Sequence, residues 1–118
     1  MIFDFIIIGA GLSGSYAASR LIKHGKSVLI LEKSRGIGGR CSTKPISNNI
    51  VDYGCQYINP KTNLVKNILK DLEKNKILNL VEIEKAKKVY IAPYGMNKVP
   101  QYFSMNVPVL TNTKVIRI

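Results

Sequence analysis

Histidine and cysteine are almost missing from this chain: one histidine, His24, and two cysteines, Cys41 and Cys55, in 118 residues. The cysteines form neither a Cys-x-x-Cys pair nor any ligand spacing, and one imidazole does not complete a set, so no metal site is expected. So few cysteines fit a reducing compartment, and a cytoplasmic location is expected. Cys41 reads as a small packed residue, and His24, just before Gly25, as part of a helix end. Long apolar runs are absent as well. The run Ile2 to Ile8 is interrupted by Asp4 and leads straight into glycine, so it reads as a buried parallel strand and not as a signal peptide or a membrane span. No membrane partner is expected.

Acidic residues are scarce, seven against 18 Lys and Arg, for a net charge of +11. Such a balance ordinarily raises nucleic acid as a partner. Here the lysines are spread along the chain, and only Lys85, Lys87 and Lys88 gather, without the interleaved aromatics of a single-strand binder. Nucleic-acid binding is therefore not expected. Internal repeats and low-complexity linkers are also lacking.

What is present is a glycine pattern in a definite setting. Gly9-Ala10-Gly11-Leu12-Ser13-Gly14 follows the apolar run, a helical pattern comes next, and a second apolar run, Ser27 to Leu31, closes on Glu32. Strand, turn, helix, strand and acid at this spacing form a dinucleotide-binding fingerprint. Gly9 permits the turn off the strand, Gly11 lets backbone approach a pyrophosphate, and Gly14 lets the helix lie close to the sheet. A helix starting near Leu12, Ser13 and Gly14 offers unpaired amides and the positive end of its dipole to an anion. Glu32 is placed to accept hydrogen bonds from ribose hydroxyls, and its charge disfavours a 2′-phosphate, which points to FAD or NAD over NADP.

The next segment separates those two. Glu32-Lys33-Ser34-Arg35-Gly36-Ile37-Gly38-Gly39-Arg40 is a second glycine cluster, suited to a loop over phosphates, with Arg40 able to pair with two pyrophosphate oxygens. This run resembles the second signature of amine-oxidase-type flavoproteins: acid, basic spacer, Gly-Gly-Arg, then a small hydroxyl residue. Asp52-Tyr53-Gly54-Cys55-Gln56-Tyr57 is similar to a stretch of renalase and its bacterial relatives, with Tyr53 and Cys55 in place of leucine and alanine. Val89 to Met96 and Val107 to Ile118 resemble the segment that re-enters the FAD domain in those proteins. The resemblance implies an α/β, Rossmann-like FAD/NAD(P)-binding fold with a mostly parallel sheet. It further implies that Ser13, Glu32, Arg40, Gln56 and Tyr57 contact FAD, with Val115 on a strand near the adenine. Gly9, Gly11, Leu12, Gly14, Lys33 and Gly39 complete the expected cofactor site. No catalytic acid, base or nucleophile stands out.

At 118 residues, one domain (1–118) is expected, without room for the separate substrate-binding domain of such oxidases. Val115-Ile116-Arg117-Ile118 reads as a strand that stops abruptly, so the expectation is an N-terminal fragment: a truncated reading frame, a split gene with a separately encoded C-terminal half, or a decayed copy. A stand-alone ADP- or NAD-binding module and an inactive remnant are the alternatives.

The remaining elements are coarser. Asn59-Pro60 reads as the start of an amphipathic helix carrying Leu64, Val65, Ile68, Leu69 and Leu72. Leu80 to Glu84 and Lys88 to Ala92 suit short strands, and Pro93-Tyr94-Gly95 a turn. Asn97 is expected to cap a short helix running to Phe103 with Pro100 in its first turn, and Val107 to Leu110 to form an edge strand. Ser47 to Asn49 is expected to be a loop.

Overall fold

A computed structural model describes all residues from Met1 to Ile118. The chain divides into two compact units, Met1–Arg40 with Pro100–Ile118, and Cys41–Val99.

In the first unit, strand β1 (Phe5–Ile8) leads through the glycine turn into helix α1 (Leu12–Lys23) and strand β2 (Val28–Leu31). The strands pair in parallel, Phe5 opposite Val28 through Ile8 opposite Leu31. The pair is clamped at its start by Asp4, whose Oδ2 accepts from the Ser27 amide at 2.8 Å and from its hydroxyl at 3.0 Å. Ala18, Val28 and Ile30 are buried together with Ala10 and Val107 to form the core, flanked by Ile7, Leu21, Ile22, Ile37 and Val109. Small side chains on α1 permit this close helix–sheet packing. His24 and Gly25 end α1 as expected. The His24 amide donates to the carbonyls of Arg20 and Leu21, and Gly25, at φ 74°, turns the chain away.

Two expectations for this sheet are corrected. β1 is parallel but not buried: it is an edge strand paired only with β2, and Phe5, Ile6 and Ile8 are substantially exposed. The abrupt C-terminal strand does not form either. The final strand covers only two residues, Val109–Leu110, parallel to β2 in the order first strand, second strand, last strand. Asn112 then takes a left-handed conformation at φ 52°, and the amides of Asn112 and Thr113 bond to the carbonyls of Ser34 and Glu32. Val115 to Ile118 are in no strand, because β-branched residues alone do not supply a ladder partner.

In the second unit, β3 (Thr43–Ile46) and β4 (Asn49–Asp52) form an antiparallel hairpin around Ser47-Asn48, with Ser47 at φ 52°. The turn covers Ser47 and Asn48 of the expected loop, while Asn49 opens β4, and the two flanking strands are an addition. Helix α2 (Asn63–Lys74) begins after Thr62, whose hydroxyl accepts from the Val65 amide at 3.3 Å, not at Asn59-Pro60. Leu69 and Leu72 supply its buried face. Strands β5 (Asn79–Ile83) and β6 (Lys87–Ile91) form a second antiparallel hairpin, each beginning one residue before its expected position. Ile58 adds a two-bond bridge to Tyr90.

Helix α3 (Lys98–Phe103) holds Pro100 at its third position, inside the first turn, where no amide is required. Asn97 does not cap it through its side-chain oxygen, which has no hydrogen-bond partner. The two-residue strand Val109–Leu110 is β7.

Candidate functional site

Gly9 sits at φ 100°, a conformation that costs an L-residue its ordinary sterics, and a side chain there would meet nothing within 4 Å. The turn is thus closed by backbone alone and leaves open space beside it. Gly14 is required for the opposite reason: a Cβ there would run into the Gly9 carbonyl oxygen and lie 3.2 Å from Ile7 Cγ2. Only a residue without a side chain lets the first turn of α1 lie against the turn that precedes it.

Gly11 is the N-cap of α1 and has no side-chain cap. The first intrahelical bond runs from the Ser15 amide to the Gly11 carbonyl at 3.0 Å. The amides of Leu12, Ser13 and Gly14 precede that bond and point out of the helix end, with no acid in the first turn to compete for them. Together with the dipole they make a site for an anion.

The second glycine cluster comes back onto the first. The Gly38 amide donates to the Ala10 carbonyl at 3.0 Å, and Gly39, at φ 56°, lies so close that a Cβ on it would stand 2.9 Å from Gly11 Cα. Two separated glycine loops therefore meet backbone to backbone. Arg40 and Lys33 carry exposed side chains in the same segment.

Glu32 is 6% exposed, and both oxygens of its carboxylate accept hydrogen bonds. Oε2 accepts from the Ala10 amide at 2.7 Å, while Oε1 accepts from both the amide and the hydroxyl of Ser34 at 2.8 Å. Burial alone would raise the carboxyl pKa. The bonds from Ala10 and Ser34, with the charge of Lys33, outweigh it and hold the group below its ordinary value. Oε2 keeps a lone pair beyond the one used by Ala10. The residues that tie Glu32 down, Ala10 and Ser34, had no place in the expected site. Ser34 carries a signal that could have found it: an acid followed two residues later by serine is a turn pattern in which the carboxylate takes the i+2 amide.

The structure thus brings Gly9, Gly11, Gly14, Glu32 and Gly39 into one cluster, with Leu12 and Ser13 exposed in the first turn of α1 beside it. Gln56 and Tyr57 lie in the second unit and are both exposed, with the Lys87 ammonium 5.7 Å from the Tyr57 ring centre. Val115 is half-buried in irregular chain, not on the expected strand. Cys41 is buried, as expected for a packed residue. Burial first, then the neighbouring Cys55 and Asp52, push its thiol up to about 11.

Residues 7–72, more than half of the chain, match the NAD(P)-binding Rossmann-like domain family, and the chain belongs to it. Among curated proteins, UDP-galactopyranose mutase of Mycoplasma pneumoniae is 55% identical over 42 residues, covering 36% of this chain and 10% of that protein. The flavin-containing amine oxidase A of Equus caballus is 39% identical over 71 residues, 59% of this chain and 14% of its own length. Among solved structures, cyclohexylamine oxidase from Brevibacterium oxydans superposes with a TM-score of 0.54 at 37% identity, covering 67% of this chain and 17% of that one. The chain therefore spans between a tenth and a fifth of the length of these three relatives. Its homologues include FAD-dependent oxidoreductases, flavin-containing amine oxidases among them, and its first unit has an α/β nucleotide-binding fold. No helix is long and apolar enough to cross a membrane.

Proposed function

We propose that this chain is the FAD-binding N-terminal part of a flavin-dependent oxidoreductase of the amine-oxidase and renalase kind. The observation that carries the reading is the approach of Gly39 to Gly11, which leaves a side-chain-free cradle at the start of α1. The residues present fit the diphosphate of FAD: the amides of Leu12, Ser13 and Gly14 face the oxygens, and Arg40 approaches from the second loop with a two-pronged donor. Glu32 Oε2 accepts from a ribose hydroxyl on its remaining lone pair, and its charge disfavours a 2′-phosphate. Lys33 adds a cation beside the loop. The resemblance also assigns Gln56 and Tyr57 to the FAD contacts, and Val115 to the adenine.

When bound, FAD supplies a hydride acceptor. The residues of this chain hold and orient it, and none is placed as an acid, base or nucleophile toward a substrate. In the complete protein the reaction is oxidation of a reduced nicotinamide-like or amine substrate, as the resemblance implies. The free thiols fit residence in the cytoplasm.

Incubating the full chain with FAD, followed by gel filtration, tests the reading. Oxidised-flavin absorbance travelling with the protein is the expected result. Protein that elutes folded but colourless, and binds NAD or ADP alone, would favour a stand-alone nucleotide-binding module.

A further inference from the structure

The two cysteines, 14 positions apart in sequence, meet in the fold. Beyond the Thr43–Asp52 pair that ends the β3–β4 ladder, one more bond runs from the Tyr53 amide to the Ser42 carbonyl at 3.3 Å, so the chain on either side of the hairpin base stays together. One residue further out on the first side is Cys41 and two further out on the other is Cys55, whose thiol is the nearest ionisable neighbour acting on that of Cys41. The Cys55 thiol in turn donates to the Tyr57 carbonyl at 3.3 Å. Cys41 is buried, whereas Cys55 is partly open to solvent. The pair is therefore an inner thiol behind an outer one.

We propose that Cys41 and Cys55 are a redox-active dithiol that closes to an intramolecular disulfide when hydrogen peroxide reaches Cys55. The Cys55 sulfur attacks the peroxide: an S–O bond forms, the O–O bond breaks and one water leaves. The Cys41 sulfur then displaces the second oxygen: an S–S bond forms, the S–O bond breaks, and the thiol proton departs with the second water. Two thiols lose two electrons and two hydrogens, and the peroxide becomes two waters, so the step balances. The order follows from access, because the exposed sulfur meets the oxidant and the buried one resolves it. Two thiols flanking the same hairpin base close the remaining distance by rotation about their Cα–Cβ bonds.

The consequence is local and mechanical. The disulfide would fasten the residue that follows Arg40 to the residue that precedes Gln56, closing a loop around the whole β3–β4 hairpin. Reduction would free the Gly54–Tyr57 segment again. The oxidation does not depend on FAD binding, and the proposal stands or falls separately from the cofactor reading.

Mass spectrometry of the full chain treated with stoichiometric hydrogen peroxide tests it, in native buffer and in urea. The native chain is expected to become lighter by two hydrogen atoms, to lose both alkylatable thiols, and to do so at least about tenfold faster than the unfolded chain. With Cys41→Ser, Cys55 is expected to stop at a sulfenic acid trapped by dimedone. With Cys55→Ser, Cys41 is expected to remain reduced. Addition of oxygen to wild-type Cys55 without loss of hydrogen, a bond between two chains, or equal rates in native buffer and urea would overturn the proposal. The wild-type comparison decides the matter even if neither serine variant folds.

Discussion

Glu32 Oε2 receives the Ala10 amide at 2.7 Å, across 22 residues of sequence. The acid that closes β2 thereby holds the glycine turn that closes β1. A carboxylate expected to face only a ribose is also a strut of the cradle itself, with Ser34 fixing its other oxygen. Burial of this group is tolerated because both of its oxygens accept hydrogen bonds.

Replacing Glu32 by glutamine keeps the size but turns one acceptor oxygen into a donor, so either Ala10 or Ser34 loses its partner. The expected cost is about 1–3 kcal/mol, measurable as a lower denaturation midpoint in urea. Acid should act in the same direction. The folded-state pKa lies below the unfolded value of 4.5, so the stabilisation is complete above that pH and is lost as pH falls through the depressed value. Asp4 is shifted the same way by its two bonds from Ser27 and adds to the same acid limb. Glu32→Gln should flatten the acid limb of a stability–pH curve, whereas an unchanged curve would remove Glu32 from this role.

Gly14 and Gly36 make a matched pair. Gly14→Ala places a methyl on the Gly9 carbonyl oxygen, so the cradle must distort, at a cost of at least about 1–3 kcal/mol. Gly36→Ala meets nothing within 4 Å and lacks positive φ, so a change within about 0.5 kcal/mol is expected. Gly39→Ala should resemble Gly14→Ala, since it combines a left-handed backbone with a close approach to Gly11. Thermal melts of the three variants, followed by circular dichroism, would rank them.

Much of this unit was legible because its chemistry is local. The turn glycines, the helix pattern up to His24 and the acid after the second run are all set by neighbours within a few residues. Elements governed by distant partners were not. β3 carries Lys44 and Pro45 and shows no alternation, yet it forms because Thr43 and the turn after β6 both seize Asp52. Val115 to Ile118 has strand composition and no strand to pair with, and the exposure of β1 depends on what lies beside it rather than on its own apolar run. In the candidate site, the sequence placed Glu32 correctly at the end of β2. That its oxygens turn to Ala10 and Ser34 depends on where α1 begins, a tertiary fact.

Asp52 links the hairpin to that turn in the second unit. Its Oδ1 accepts from Thr43 Oγ1 at 2.6 Å and from the Met96 amide at 2.9 Å, while Thr43 Oγ1 accepts from the Asn97 amide at 3.1 Å. Asp52→Ala leaves two partly buried donors without their acceptor and should cost about 1–3 kcal/mol. Hydrogen exchange should then show faster loss of protection at Met96 and Asn97 than in β5 and β6. Uniform loss across the unit would mean that Asp52 supports the whole of it and not this junction.

The central claim is that backbone amides of the glycine turn and the carboxylate of Glu32 hold the ADP half of FAD. Calorimetric titration of the full chain with FAD, with ADP and with 2′-phosphorylated ADP tests it most directly. The account predicts saturable binding of FAD at one site, displacement by ADP, and binding of the 2′-phosphorylated analogue weaker by about tenfold or more through charge repulsion at Glu32. Equal affinity for the two ADP forms, or no heat with FAD, would contradict it.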